Sequence, residues 1–262
     1  MVRPAPFMGL QRAADELGVH YQTAYGWVRQ GVLPARKSGR SYQVSEADVR
    51  ELNARRAAGL PPRQEVRVRD WDAQAEMLYS AIASGEEGRA RSRLQRLAAG
   101  VPFIDLCQRV ITPALSRIGE DWATGAVTVA AEHRASEICE RLIGSLSERQ
   151  PSGRPRGVAV TGTPAGERHG LPALMAAGCL REDRWHVHHL GSDLPPGEVG
   201  RLAREVGARL VVLSSATAET ARRASAQAAE LARENPGLRV LAGRPGDTLY
   251  QLVQSARQAR QG

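Results

Sequence analysis

The sequence predicts a multidomain protein of α and α/β class, with two helical segments followed by a parallel-sheet segment. Three observations carry that prediction. A compact basic pattern of helix, turn, helix and hairpin opens the chain, apolar residues at helical spacing fill its middle, and after a Pro/Gly break short β runs alternate with amphipathic helices. The breaks fall near Gly59-Leu60-Pro61-Pro62 and near Gln150-Pro151-Ser152-Gly153-Arg154-Pro155, so domains are expected at 1–62, 70–150 and 155–262.

In the first segment Leu10 to Leu17 forms a short amphipathic helix, Gly18 supplies the turn, and Val19 to Gln30 resumes as a second helix. That is helix-turn-helix spacing, in which the first helix braces and the second presents Tyr21, Gln22, Thr23, Tyr25 and Arg29 to base edges. Trp27 is expected in the core. Gly31 to Tyr42 reads as a hairpin wing whose Arg36, Lys37 and Arg40 can neutralise phosphates, with Tyr42 at its end. Ser45-Glu-Ala-Asp48 then caps another helix. His20 is expected to face solvent or a DNA backbone. Residues 1–70 hold twelve basic and seven acidic side chains, so +5 of the chain's net charge of +8 lies in about a quarter of its length. This asymmetry points to a polyanion partner for this segment, and with the helix-turn-helix spacing to double-stranded operator DNA.

From 72 to 148 the apolar positions Met77, Ile82, Leu94, Leu97, Ile104, Val110, Ile111, Leu115, Ile118, Val127, Val129, Ile138, Leu142 and Ile143 keep helical periodicity, which predicts a four-helix bundle. Trp122 is expected at one helix end, and ten positions after it Glu132-His133 stands near the start of the next.

After Pro155 the expected strands are 157–161, 185–190, 209–213 and 238–242, separated by helices near 171–180, 196–206 and 217–234 and followed by a last helix at 247–259, with no fifth strand visible. Alternation of this kind specifies right-handed crossovers and a parallel sheet. Glu167-Arg168-His169-Gly170 lies in the loop after the first strand, at the sheet end where open α/β folds place ligands. A loop histidine there can reach a ligand, and Glu167 can accept the ring's other N–H and fix its tautomer. His186, His188 and His189 have no complementary Cys or carboxylate pair spaced with them, so a transition-metal site is not expected there.

Hydrophobic residues at 42% and charged residues at 24% exclude a disordered chain. Cys107, Cys139 and Cys179 are odd in number, widely spaced and set in apolar helical patterns, which predicts buried reduced thiols. Residues 1–20 lack a long apolar run and no stretch approaches roughly 18 apolar residues, so neither a signal peptide nor a membrane span is expected and the location expected is cytoplasmic.

The first segment resembles the winged helix-turn-helix of the MerR and excisionase superfamily. The other two together resemble the cobalamin-binding unit of the methionine synthase type, and the order of all three resembles the CarH/LitR group of light-responsive repressors. That unit pairs a bundle carrying Trp, nine residues and Glu-His with a Rossmann-like (flavodoxin-like) domain carrying Asp-x-His-x-x-Gly, later Ser-x-Leu, and finally Gly-Gly. Here 41 residues separate Pro172 from Ser214, and 26 separate Ala216 from Gly243, so the register fits. The resemblance implies bound cobalamin, adenosylcobalamin above other forms, with His169 as the cobalt's lower axial ligand beside Glu167 and Gly170. It implies a channel for the displaced nucleotide tail lined by Ser214, Ser215 and Gly243, and an upper-face pocket built from Trp122, Glu132 and His133.

The chain departs from that pattern at five positions: Glu167 for Asp, Pro172 for Gly, Ala216 for Leu, Arg244 for the second Gly, and Ala123 where the light-responsive group has a histidine after the Trp. Alanine cannot ligate a metal. The function implied is a non-enzymatic DNA-binding regulator, expected to be a repressor, in which cobalamin and light change a homo-oligomeric state, tetramer or dimer. Two alternatives stay open: the same DNA-binding module with a degenerate sensor that binds another ligand or none, and a corrinoid carrier for a methyltransferase.

Overall fold

A computed structural model of the chain describes residues 7–29, 32–33, 35–39, 41–57, 70–148 and 153–258. The described residues fall into two compact units, one of the N-terminal elements up to Ala57 and one of the elements from Trp71 onward.

The first unit opens on a three-residue strand, β1 (Phe7–Gly9), then α1 (Leu10–Glu16), α2 (Tyr21–Arg29), β2 (Ala35–Ser38), β3 (Ser41–Ser45) and α3 (Glu46–Ala57). β3 is the centre of an antiparallel sheet, paired with β2 across the hairpin and with β1 through Met8↔Val44. β1 leaves no periodic signal in the sequence, because three residues are too few to show alternation. Gly18 takes φ +64 in open space, a left-handed turn that glycine adopts without cost. α2 then starts on His20, whose Nδ1 accepts the Gln22 N–H at 3.3 Å, so this exposed histidine caps a helix. Ser45 Oγ accepts the Ala47 N–H at the start of α3. Met8, Leu10, Ala13, Ala14, Leu17, Ala24, Leu33, Val44, Val49 and Leu52 form the core, with Trp27 partly buried against it.

The second unit begins with the bundle: α4 (Trp71–Ala83), α5 (Glu87–Ala98), a third rod and α8 (Val129–Ser147). The rod runs as α6 (Phe103–Leu106), a π-helical turn (Cys107–Ile111) and α7 (Thr112–Ala123). Ile82, Leu94, Val110, Ile111, Ile118, Ile138, Leu142 and Ile143 are buried at the helical spacing expected of them, whereas the expected Met77, Leu97, Ile104, Leu115 and Val127 are half-buried and Leu78 and Leu106 take the buried places beside Met77 and Ile104. Val129 departs from that expectation and is 56% exposed, because it opens α8 instead of lying within a buried stripe.

The α/β part follows as β4 (Val158–Gly162), α9 (Leu171–Glu182), β5 (His186–His189), α10 (Glu198–Glu205), β6 (Leu210–Leu213), α11 (Ala218–Glu234), β7 (Arg239–Ala242) and α12 (Leu249–Gln258). All pairings are parallel, in the order β5-β4-β6-β7, and among the described residues the sheet has four strands. Counted within the domain this is second, first, third, fourth, the flavodoxin-like order, whose ligand crevice opens at the carboxyl ends of the first and third strands. Here those are β4 and β6. One face of the sheet packs on a cluster that includes Ala176, Ala177, Leu180 and Ala256 of α9 and α12, and the other on Val199, Ala203, Ala224 and Leu231 of α10 and α11.

Bundle and sheet are joined through α9. Glu182 accepts the Phe103 N–H at 2.7 Å and the Ile104 N–H at 3.2 Å, capping the rod. Gly178 is required here, since a Cβ would stand 2.3 Å from the Phe103 ring and 2.8 Å from Ser147 of α8. α12 adds the Tyr250 hydroxyl to Asp105 and the Leu249 N–H to Gln108. α9 begins at the loop that carries His169, and these contacts hold its far end and α12 against the bundle. Cys107, Cys139 and Cys179 are free and buried, and burial pushes the Cys139 thiol up to about 12.

Candidate functional site

The loop from Thr163 to Gly170 leaves β4 at the switch point. It is pinned from several sides. Thr163 Oγ1 donates to the Glu167 carbonyl at 2.6 Å and accepts the Asp193 N–H at 2.9 Å, while Asp193 Oδ1 takes the Gly166 N–H at 2.7 Å. Gly166 turns at φ +81, and Asp193 itself holds φ +56, a left-handed conformation that aspartate adopts more readily than most residues with a Cβ.

Glu167 is buried, its side chain 1% exposed, yet both carboxylate oxygens are satisfied. Oε1 accepts the His169 backbone N–H at 2.9 Å and faces the His169 ring Nδ1 at 2.5 Å. Oε2 accepts the Ala216 N–H at 2.8 Å and the Thr220 hydroxyl at 2.5 Å, both at the amino end of α11. Burial alone would raise this carboxyl, but the bonds from Thr220, Ala216 and His169 outweigh it and hold the group down at about 2. An ionised carboxylate on Nδ1 makes that nitrogen the donor and leaves Nε2 free. The His169 side chain is 66% exposed, and among the described residues its Nε2 has no partner.

Ser214 and Ser215 follow β6 and are buried; the Ser215 hydroxyl donates to the Gly243 carbonyl at 2.5 Å, and Gly243 N–H reaches back to Leu213. A Cβ on Gly243 would meet Leu213 O at 3.6 Å and Ser214 Cα at 3.7 Å, so that face of the glycine looks onto the neighbouring strand. Glu167, His169, Gly170, Ser214, Ser215 and Gly243 are thus gathered at the carboxyl ends of β4, β6 and β7.

In the bundle, Trp122 lies at the end of α7 with half its surface exposed. Glu132 Oε2 meets His133 Nδ1 at 2.6 Å, and Ser136 donates to Glu132 Oε1 at 2.8 Å. The His133 side chain is 74% exposed. Trp122 and Val129, on either side of the loop between α7 and α8, are both exposed apolar side chains. Among the described residues no hydrogen bond runs from this group to His169.

His186 and His188 meet edge to face at 5.0 Å, and His189 Nδ1 pairs with the Thr161 hydroxyl at 3.0 Å. Burial, and then the Arg181 charge, lower His189's pKa, which favours its neutral ring. Among the described residues no group of three or more His, Cys, Asp or Glu side chains is arranged to hold a metal ion.

In the first unit Gln22 and Thr23 are exposed on α2, whereas Tyr21 and Tyr25 stack at 6.3 Å and Tyr25 meets Tyr42 edge-on at 5.9 Å, all three partly buried against the core. The tyrosines therefore join α2 to the hairpin. Arg36 is preset: its Nε and Nη2 both reach Gln43 Oε1, and its guanidinium lies 3.6 Å over the Phe7 ring. Arg40 and the side chains of Arg29 and Lys37 lie outside the described residues.

Residues 7–57 match a helix-turn-helix domain family, and residues 74–147 and 157–254 match two B12 binding domain families. The chain is 26% identical over 236 residues to the HTH-type transcriptional repressor CarH of Myxococcus xanthus, covering 80% of this chain and 79% of that protein. It is also 26% identical over 134 residues to trimethylamine corrinoid protein 1 of Methanosarcina acetivorans, covering 50% of this chain and 62% of that protein. Among solved structures, the monomethylamine corrinoid protein of Methanosarcina barkeri shares the fold of 69% of this chain and 95% of its own, at a TM-score of 0.52 and 15% identity. No helix among the described residues is long and apolar enough to cross a membrane.

Proposed function

We propose that this CarH-like chain, a cobalamin-binding transcription regulator by its helix-turn-helix domain and its B12 binding domains, acts as a repressor under control of adenosylcobalamin. The observation that carries the reading is the His169 imidazole, exposed, with Nδ1 locked by a buried carboxylate and Nε2 free at the switch point of a parallel sheet. The residues present fit the group in their chemistry: one fixed nitrogen donor from His169, and exposed apolar side chains at Trp122 and Val129. When bound, cobalamin would supply a cobalt ion able to take a nitrogen donor and to carry an exchangeable or light-sensitive alkyl group.

His169 would supply that nitrogen through Nε2, with Glu167 holding the ring's orientation and raising its basicity. Ser214, Ser215 and Gly243, at the strand ends, would receive the group's nucleotide portion. Trp122, Glu132 and His133 would line the bundle's side of the group. The first unit binds operator DNA by setting α2 against base edges, with Gln22 and Thr23 free to read them, and by directing Arg36 toward phosphate. A single module of this kind binds weakly, and holding several in register multiplies affinity without any new contact. A change in oligomeric state thus switches operator occupancy.

The test is gel filtration of the whole protein with and without adenosylcobalamin, each before and after green illumination. A larger assembly in the dark with cofactor, dispersed by light, is expected; one elution volume in all four conditions removes the switch. Ala123 makes a stable second histidine ligand at that position unavailable after photolysis, so the dispersed form is expected to lack it.

The match to corrinoid proteins favours a second reading, a corrinoid carrier. The two separate on DNA. A regulator is expected to bind its promoter fragment with an affinity that falls steeply between low and moderate salt, by about 0.9 in log K per log salt for each phosphate neutralised. A carrier shows no binding above that of an unrelated acidic polymer.

A further inference from the structure

We propose that the second unit carries a DNA contact of its own, a face of arginines at the amino ends of β4 to β7 that holds backbone phosphates without reading sequence. The inference needs neither cobalamin nor repression; it extends DNA binding from the helix-turn-helix unit to the far end of the sheet.

The two ends of the sheet differ in charge. The connections that leave its carboxyl ends, at 163–170, 190–197, 214–217 and 243–248, hold two arginines and three carboxylates. Those that enter its amino ends, at 153–157, 183–185, 206–209 and 235–239, hold Arg154, Arg156, Arg184, Arg209 and Arg239 against the single carboxylate of Asp183. Backbone bonds set these segments side by side: the Arg156 N–H meets the Arg184 carbonyl at 2.8 Å, the Arg209 N–H meets Val158 at 2.9 Å, and the Arg239 N–H meets Arg209 at 3.0 Å. The helices run back against the strands, so their last turns lie at the same end and add Arg181, Arg204, Arg233 and Arg257 against Glu182, Glu205 and Glu234. A cation in a last turn answers the helix dipole and needs no ligand. The arginines of the connections have no such reason.

Asp183 takes up only part of the charge. Its side chain, 6% exposed, meets Arg156 at 3.1 Å and Arg257 at 2.7 Å. Among the described residues the Arg154 and Arg184 side chains have no hydrogen bond or ion pair, and Arg154 is exposed. Arg184 stands in the left-handed region at φ +66 just past α9, a place that helices usually give to glycine. Its Nη1 would lie 3.4 Å from a Cβ on Gly153, so the guanidinium lies along the segment that carries Arg154. Phosphate suits such groups, which bind it through two parallel N–H donors. A protein partner fits less well, because an interface core needs apolar side chains, and Trp122, Val129 and Tyr250, the large hydrophobic side chains exposed among the described residues of this unit, lie in none of these connections. Once the first unit holds a duplex, the tethered second unit meets phosphate at high effective concentration, so a weak contact suffices.

The experiment uses the whole cofactor-free chain and a duplex of arbitrary sequence, with affinity measured across a range of salt. R154Q/R184G removes two charges from the face, and glycine suits the left-handed backbone at 184. Its plot of log K against log salt is expected to be shallower than that of wild type by about 1.8, since each phosphate neutralised contributes about 0.9. R89Q/R201Q removes two exposed arginines elsewhere in the unit, each paired with a nearby glutamate, and is expected to keep the wild-type slope. A wild-type slope in R154Q/R184G, or an equal loss in R89Q/R201Q, overturns the proposal. Arg36→Gln is read beside them: a loss of slope there with none in R154Q/R184G leaves DNA binding to the first unit alone, and a wild type that binds no duplex removes both readings. Weaker binding of R154Q/R184G to polyglutamate, with duplex binding unchanged, assigns the face to an acidic protein and overturns the proposal as well. Should R154Q/R184G fail to fold, R154Q decides at an exposed position, with a loss of about 0.9 expected and an unchanged slope counting against the face.

Discussion

His169→Ala is expected to weaken retention of adenosylcobalamin on the order of 100-fold or more and to abolish the histidine-ligated visible spectrum, with little change in folding stability. The size follows from what is removed. Outer-shell partners of metal ligands are worth roughly 10- to 100-fold in metal affinity, and the ligand itself stands at or beyond the top of that range. Stability is spared because the ring is 66% exposed and because Glu167 Oε1 keeps the backbone N–H of residue 169. The one lost ring bond to the buried carboxylate is expected to cost about 1 kcal/mol. The measurement is the spectrum of loaded protein after desalting, beside a thermal melt of the cofactor-free chain; a retained wild-type spectrum would falsify the ligand assignment. DNA affinity of the cofactor-free form is expected to be unchanged.

The second large effect belongs to Glu167. E167Q places an amide NH2 where one carboxylate oxygen accepted two donors, so N–H or O–H groups of His169, or of Ala216 and Thr220, are left buried against another donor. Removing one side of a buried charged network costs about 3–5 kcal/mol. The pH dependence gives an independent handle. The folded carboxyl titrates at about 2 against its ordinary 4.5, so it is depressed, and the stability it contributes is present above the ordinary value. That contribution, about 3 kcal/mol at neutral pH, is lost as pH falls from near 4.5 toward 2. Melting temperatures of wild type and E167Q are therefore expected to differ widely at pH 7 and to converge near pH 2. A gap that stays constant across that range would show that the carboxylate's charge is not what stabilises the loop.

The bond between Glu167 and His169 was readable in advance because the two residues are two apart in one loop, where chain geometry alone brings carboxylate to ring. The same holds for the Gly18 turn and for Glu132 beside His133. Thr220 was not readable. It lies 53 residues beyond Glu167, and no local pattern distinguishes a threonine that caps a helix from one that also holds a distant carboxylate. Arg36 shows the same limit: its charge predicted a phosphate contact, while its preset position over Phe7 depends on β1, a strand too short to leave a periodic signal.

Periodicity, punctuation and charge by themselves determined the order of three segments, the class of each, the parallel sheet and the loop in which His169 lies, because each is a property of residues near one another along the chain. Tertiary packing alone decided that Oε2 of Glu167 rests on α11, that the tyrosines of α2 are shared with the hairpin, and that Gly178 lets α9 close on the bundle. Those contacts join residues far apart in sequence, and only the folded chain brings their atoms within bonding distance.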